Sequence, residues 1–362
     1  MEAAQRKKYQ SQDKTVKKFL QLLETMRKCG ELMLPPERVL CEKLFCSRRT
    51  LRHVLEMHES KGLIIKKGRT RYLSMEAALL TPLGKIAFIA NGNGMPSNPT
   101  WNKLWIALSQ MAEIEHISTK LVLIPYSANK EDCLNLLKDL PEILILTTVD
   151  NHFVKKEIHE MSQKVIITTE EDYRGMFRNI ITMDNYEAGF LCAKKLAAHG
   201  YKKPAIICSE LVGNESPLYI PYKKRSCGFL DGCHKFGLEI NKKSEFWISG
   251  KNYKPIVKII KAAIEINKND FDSVFLHTDS RIDFLYEALI EESRIPKDVG
   301  VVTVNSFDYA IMHDPPVSSA SSATKQLCVE LIKQIKRIIE TGEKTIGEIM
   351  VKPGFHKGAT LK

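Results

Sequence analysis

Between Ser47 and Arg71 the chain concentrates groups suited to a polyanion: Arg48, Arg49, Arg52 and His53, then Lys66, Lys67, Arg69 and Arg71. Ser47 has the side chain of an N-cap. The free N–H groups and positive dipole end of a helix starting there, together with Arg48 and Arg49, would face whatever docks. A phosphate or a guanine edge is what such an end accepts.

The elements that must hold these groups are legible around them. Leu51, Val54, Leu55 and His58 fall at i, i+3, i+4 and i+7, one inner stripe of a helix, which turns Arg49, Arg52 and His53 outward. Before it, Pro36 is expected as the first residue of a short helix through Leu44, with Val39, Leu40 and Leu44 inward and Arg38 free for a backbone phosphate. Upstream, Val16, Phe19, Leu20, Leu23 and Met26 predict a longer helix ending at Gly30. After it, Gly62 stops the helix, 63–65 read as a strand, and Gly68 turns the chain into 70–73, so the second basic group sits on a hairpin wing. One basic amphipathic helix alone reads as a solvated surface helix. Three elements in this order with a basic hairpin read as a winged helix-turn-helix for DNA.

Charge follows the same division. Residues 1–80 hold 18 Lys+Arg against 9 Asp+Glu and the rest 36 against 34, so nearly all of the net +11 lies on the first segment. That predicts salt-sensitive binding to a polyanion. With 44% hydrophobic and 27% charged residues the chain is of ordinary globular composition. No apolar run approaches the roughly 20 residues of a membrane span, and the polar start lacks a signal-peptide core, so a cytoplasmic protein without a membrane role is expected. Nine cysteines without a CxxC pair fit free thiols.

The segment from Leu34 to Leu73 resembles the DNA-binding domain of the GntR family of bacterial repressors through Leu34-Pro35, Glu37-Arg38, Ser47-Arg48, Thr50, Arg52 and Gly62-Leu63. The resemblance implies that Arg38, Ser47, Arg48, Arg49, Thr50 and Arg52 form the face toward phosphates and bases, and that Lys67, Gly68 and Arg69 put the wing tip into the minor groove. Pro36 stands where the family has a capping serine, and Arg-Thr-Arg stands where a second glycine is common.

From Gly84 onward apolar runs alternate with helical patterns: strands at 86–90, 121–125, 143–147 and 165–169, with helices at 101–116, 130–139 and 152–162 between them. The alternation restarts with a helix over 185–199, a strand at 205–209, a helix at 223–236, a strand at 246–248, a helix at 253–267 and strands at 273–276 and 301–304. Two parallel βαβ lobes follow. Ligands of such sheets bind off the carboxyl ends of the strands, where the sequence places Asn91, Ser97-Asn98, Asp150, the stretch 169–172, Thr278-Asp279 and Asn305. Carboxylates, amides and an arginine suit a polyol.

The body, over nearly all of 84–358, resembles the sensor domain of the LacI family, itself built like periplasmic sugar-binding proteins. The carrying residues are MDNYEAGFLCAKKLAAHGYKKPAII at 183–207, Arg225 to Phe229 as an RxxGF motif, FDSVFLHTDS, and RIPKDVGVVTVN ending at Asn305. By that likeness Arg225 forks onto ligand hydroxyls or a carboxylate, Thr278 and Asp279 replace a cleft Asn-Asp pair, and Asn305 replaces an aspartate. Asn98, Trp101, Asp150, Glu171, Tyr222, Arg225, Thr278, Asp279 and Asn305 are thus the expected effector-binding set. Trp101, Tyr219 and Tyr222 read either as stacking platforms for a sugar or as lobe packing, and Asp150 and Glu171 either as ligand groups or as solvated carboxylates.

The expected architecture is therefore α/β: a winged helix-turn-helix over 1–75, a linker at 76–83, and a two-lobed periplasmic-binding-protein-like sensor over 84–362. Lobe 1 is assigned 84–184 and 313–342, lobe 2 185–312 and 343–358. The combination resembles arabinose-repressor-type regulators, which implies a homodimeric bacterial repressor with operator DNA and a small effector, most readily a sugar, as partners. A purine, an amino acid or a sugar phosphate is the alternative effector, and a carbohydrate-processing enzyme the alternative class. Cys41, Cys46, His53 and His58 match no zinc spacing, Asn91-Gly-Asn-Gly lacks the context of a phosphate loop, and no nucleophile or HExxH constellation appears, so neither metal, cofactor nor catalysis is expected.

Overall fold

In the computed structural model the alternation that begins at Gly84 resolves into two six-stranded sheets. The structure describes residues 15–16, 18–23, 25–26, 31–60, 62–68, 70–74, 83–92, 99–125, 127–147, 149, 152–170, 175–210, 219–240, 245–249, 271–278, 282–290, 295, 298–305 and 312–362. The N-terminal 85 residues belong to one compact unit and most of both sheets to another. The predicted helix at 253–267, the linker residues 76–82 and Gly30 lie outside the described residues.

In the first unit, helical residues within 15–26 (α1) precede α2 (Glu37–Leu44) and α3 (Arg48–Ser60), and β1 (Ile64–Lys67) pairs antiparallel with β2 (Thr70–Leu73). Phe19, Leu23, Met26, Leu40, Leu44, Leu51, Val54, Leu55, Ile64 and Leu73 form one core. Leu34 belongs to it because the stretch before α2 runs beside β2: Leu34 N–H donates to the Arg71 carbonyl at 2.9 Å, Leu73 N–H to the Leu32 carbonyl at 2.7 Å, and Met33 bridges Tyr72. Sequence patterning did not reveal this third strand segment. Pro36 is the N-cap and not the first helical residue, with ψ at 149°, and the helix starts one residue later. Without a hydroxyl or carboxylate it makes no side-chain cap. Val39 is only half buried. Gly62 ends α3 with φ at 70°: its N–H reaches the Glu59 carbonyl, and Leu63 N–H reaches that of His58.

From Gly84 the chain forms β3 (Gly84–Asn91), α4 (Pro99–Ile114), β4 (Ile117–Ile124), α5 (Lys130–Leu136), β5 (Ile143–Leu146), α6 (His152–Glu160), β6 (Val165–Thr168) and β7 (Asn179–Met183). It continues through α7 (Asn185–Ala198), β8 (Pro204–Glu210), α8 (Tyr219–Phe236), β9 (Glu245–Ser249), β10 (Ser273–Leu276), α9 (Ile282–Ile290) and β11 (Gly300–Asn305). It ends with β12 (Ser318–Ser321), α10 (Thr324–Thr341), β13 (Glu348–Val351) and β14 (Phe355–His356). The sheet orders are β13-β7-β6-β5-β3-β4 and β14-β12-β11-β10-β8-β9. β5 and β10 are buried at every residue, as strands covered on both faces by helices must be.

The tail departs from the expected partition. β12 pairs in parallel with β11 and so belongs to the second sheet, whereas β13 pairs in parallel with β7 and closes the edge of the first; only β14 returns to the second. The chain therefore crosses between the sheets at residues 183–185, 321–324 and 351–355. Asn179 fixes the return to β13: its amide donates to the Lys344 carbonyl at 3.0 Å and its oxygen accepts from Ile346 N–H at 2.7 Å. The polar β12 sequence, SSAS, offers no apolar run, which is why patterning passed over it. Among the described residues no helix is long and apolar enough to cross a membrane.

Candidate functional site

In each sheet the order reverses about one strand. β3 lies between β4 and β5, and β8 lies between β9 and β10. The crevice of a doubly wound sheet opens at the carboxyl ends of such strands. In the first sheet those ends deliver Asn91, Thr147, Thr169 and Glu170, all buried. Thr147 Oγ1 donates to Glu170 Oε1 at 3.2 Å, and Glu170 N–H is held by Thr168 Oγ1 at 3.1 Å. Thr169 Oγ1 is buried without a hydrogen-bond partner, an acceptor and donor left for a ligand.

In the second sheet Arg225 is the centre. Gly189 of α7 and Gly228 of α8 let the two helix backbones touch: a Cβ on Gly189 would lie 1.9 Å from the Arg225 carbonyl oxygen, and one on Gly228 would lie 2.0 Å from that of Tyr186. The crossing sets Arg225, only 7% exposed, against the start of α7 and the end of β10. Its Nε donates to Asn185 Oδ1 at 2.8 Å and its Nη1 to the His277 carbonyl at 2.9 Å. Tyr222, one helical turn earlier, stacks on the His277 ring with centroids 4.4 Å apart and lies 5.3 Å below the guanidinium. Thr278, buried, follows His277.

Tyr222, Arg225 and Thr278 are thus brought together, with Asn185 and His277 as partners the sequence reading did not single out. His277 directly follows β10, so the strand-end rule was a signal for it; Asn185 carried none beyond its place in the 183–207 stretch. Thr147 was missed in the same way in the first sheet, whereas Glu170 lies in the strand-end stretch 169–172 singled out from the sequence. Trp101 sits half buried in the first turn of α4. Asn305 ends β11, in register with Ser321. Asn98, Asp150, Glu171 and Asp279 lie outside the described residues.

The N-terminal unit presents a second polar face. Ser47 Oγ accepts from Thr50 N–H at 3.1 Å and shares a hydrogen bond with Thr50 Oγ1 at 2.9 Å, so the serine caps α3. Arg48, Arg49, Arg52 and His53 are exposed, while His58 is buried with Nδ1 on the Val54 carbonyl at 2.7 Å. Arg38 is exposed but is not free: it pairs with Glu42 at 2.8 Å. Lys67 and Thr70 face each other, and Gly68, at φ 61°, follows Lys67 at the end of β1; Arg69 lies outside the described residues. Arg71, expected on the outer wing, is turned inward between Glu37 and Glu59.

Residues 84–357 match the family described as periplasmic binding proteins and sugar binding domain of LacI family. No curated protein sequence matches the chain. Solved structures of similar fold include transcription regulator CcpA of Lactococcus lactis, with a TM-score of 0.60 at 11% identity, covering 77% of this chain and 99% of that one. The transcriptional regulator CelR in its cellobiose complex gives 0.61 at 13% identity, covering 87% and 91%. A LacI family transcriptional regulator from Enterococcus faecium with bound ribose gives 0.57 at 16% identity, covering 76% and 98%. At such identities the likeness is one of fold. The family match spans both sheets, all three crossings between them and the arginine held at the end of β10, and this chain belongs to the periplasmic binding protein and LacI-type sugar-binding domain family.

Proposed function

We propose that this protein is a cytoplasmic transcriptional regulator, acting as a repressor, whose operator binding is set by a small polar ligand, a sugar, bound between the two lobes. The carrying observation is Arg225: a buried guanidinium held by Asn185 and the His277 carbonyl at the carboxyl end of β10, in a domain of a sugar-binding family. A guanidinium fixed in this way can fork onto vicinal hydroxyls. Across the cleft Glu170, Thr147 and the unpartnered Thr169 hydroxyl supply acceptors and donors of the same kind. The ligands of two regulators of similar fold, cellobiose and ribose, support a saccharide.

The N-terminal unit is read as a GntR-type winged helix-turn-helix. The capped start of α3 with Arg48, Arg49 and Arg52 enters the major groove, and Lys67, Gly68 and Arg69 approach the minor groove. Two such units in a homodimer contact the half-sites of a pseudo-palindrome. Ligand that touches both lobes favours the closed sensor by its differential affinity, and closure changes the spacing of the two readers.

The test is a thermal-shift screen of the full chain against pentoses, hexoses, uronates, sugar phosphates, purines and amino acids, repeated with Arg225→Ala. A shift by one sugar class that the variant loses supports the reading, and recovery of that sugar unchanged separates a sensor from an enzyme. A purine, amino acid or sugar phosphate acting in its place overturns the saccharide assignment.

A further inference from the structure

Arg71 of β2 is turned away from solvent, its side chain 15% exposed. Nη1 donates to Glu37 Oε1 at 3.0 Å, Nε donates to Glu59 Oε1, and its backbone carbonyl accepts from Leu34 N–H. The other oxygen of Glu37 accepts from Arg52 Nε at 3.1 Å. The first turn of α2 and the end of α3 thus meet at the guanidinium carried by β2, while Arg52 of α3 joins through Glu37 and the segment before α2 through the Arg71 backbone. Arg71 is offset by Glu37 and Glu59, so it adds no net attraction for DNA. What it adds is geometry. A two-stranded hairpin is marginal alone, and only a forked planar cation reaches carboxylates on two different elements at once.

We propose that Arg71 is a positioning residue of the DNA interface, locking the hairpin to α3 so that the Gly68 turn and Arg48, Arg49 and Arg52 meet one duplex as a rigid body. The proposal rests on the DNA reading above. Arg71 touches no DNA in it and acts through Glu37 and Glu59.

The test compares full-length wild type with Arg71→Met and Arg71→Lys on a duplex that the wild type enriches from a random-sequence library. Arg71→Met is expected to bind about tenfold more weakly, the equivalent of one charge-assisted hydrogen bond. It should lose the minor-groove footprint of the wing while keeping guanine interference under α3, and its amides over 64–73 should exchange faster while those of 48–60 do not. Arg71→Lys keeps the charge but reaches one carboxylate at a time, and should recover part of the footprint. Removing Arg71 leaves Glu59 without its cation while Glu37 keeps Arg52, so the double variant Arg71→Met/Glu59→Gln provides the same comparison if the single one unfolds. A wild-type footprint and wild-type exchange in Arg71→Met overturn the proposal, and so does loss of both footprints together in a folded double variant. If the wild type enriches no duplex, the DNA reading fails, and the exchange comparison alone decides whether Arg71 couples the hairpin to α3.

Discussion

Arg225 Nε lies 2.8 Å from Asn185 Oδ1, joining the second turn of α8 to the first residue of α7 across the glycine crossing. The bond fixes the plane of the guanidinium, and the His277 carbonyl fixes its rotation. A ligand docked as proposed would meet an arginine that loses little freedom on binding.

Arg225→Ala should abolish the ligand-dependent rise in melting temperature, which for wild type at 100 times its dissociation constant corresponds to about 2.7 kcal/mol. Asn185→Ala leaves the charge but releases its plane, and is expected to weaken binding about tenfold in isothermal titration. Wild-type affinity in both variants would remove Arg225 from the site.

The crossing itself is open to a one-atom test. Gly228→Ala places a Cβ where the Tyr186 carbonyl oxygen stands, and backbone cannot yield as a side-chain end can. The helices must separate, at a cost of about 1–3 kcal/mol. Calorimetry should show a lower melting temperature for the sensor, with ligand affinity reduced alongside because Arg225 moves with α8. Gly237→Ala is a different case: space there is open but φ is 68°, so strain and not overlap sets its effect.

Ser47→Ala removes the cap on α3 and should cost about 1 kcal/mol of stability in the N-terminal unit. If the start of α3 holds a phosphate, duplex binding weakens as well. Arg48→Ala should then lower the slope of log affinity against log salt by about 0.9, the value of one phosphate contact, when binding is titrated by fluorescence anisotropy. An unchanged slope would remove Arg48 from the interface.

Acid should weaken the same unit through Glu37. Burial acts to raise its carboxyl, but hydrogen bonds from Arg52 and Arg71 outweigh burial and hold it below the usual carboxylate range. A value depressed in the folded state contributes stability that is present above the ordinary value of 4.5 and is lost as pH falls through the folded one. Denaturant melts of wild type and Glu37→Gln should differ at neutral pH and converge toward about pH 3. A constant difference would show that the carboxylate charge is not what Arg52 and Arg71 recognise.

Thiol chemistry offers a check on the sensor core. Burial pushes Cys192, Cys233 and Cys328 up to about 12, and Cys192 Sγ also faces the Thr303 carbonyl at 3.5 Å. Cys227, on the exposed side of α8, has no such cover. Alkylation of the native chain followed by mass spectrometry should modify Cys227 rapidly and spare the three buried thiols until the domain unfolds.

What the sequence determined by itself was local and periodic. The stripe of Leu51, Val54, Leu55 and His58 sets which face of α3 is buried, because a helix returns a residue to the same side every three to four positions. Ser47 and Gly62 mark its ends because a hydroxyl can cap and a glycine can take positive φ. The apolar runs of β5 and of β10 after Ser273 declare a sheet covered on both faces. Tertiary structure decided what depends on residues far apart in the chain. Nothing local says that β13 joins β7 or that SSAS is a strand, since pairing there is set by the edges left open by other strands. Arg71 reads in the sequence as a basic wing residue and Arg225 as a ligand residue, yet what withdraws each from solvent, carboxylates for one and an amide oxygen and a carbonyl for the other, comes from distant elements. Desolvating a guanidinium is tolerable only where such partners already stand, and only the fold brings them there.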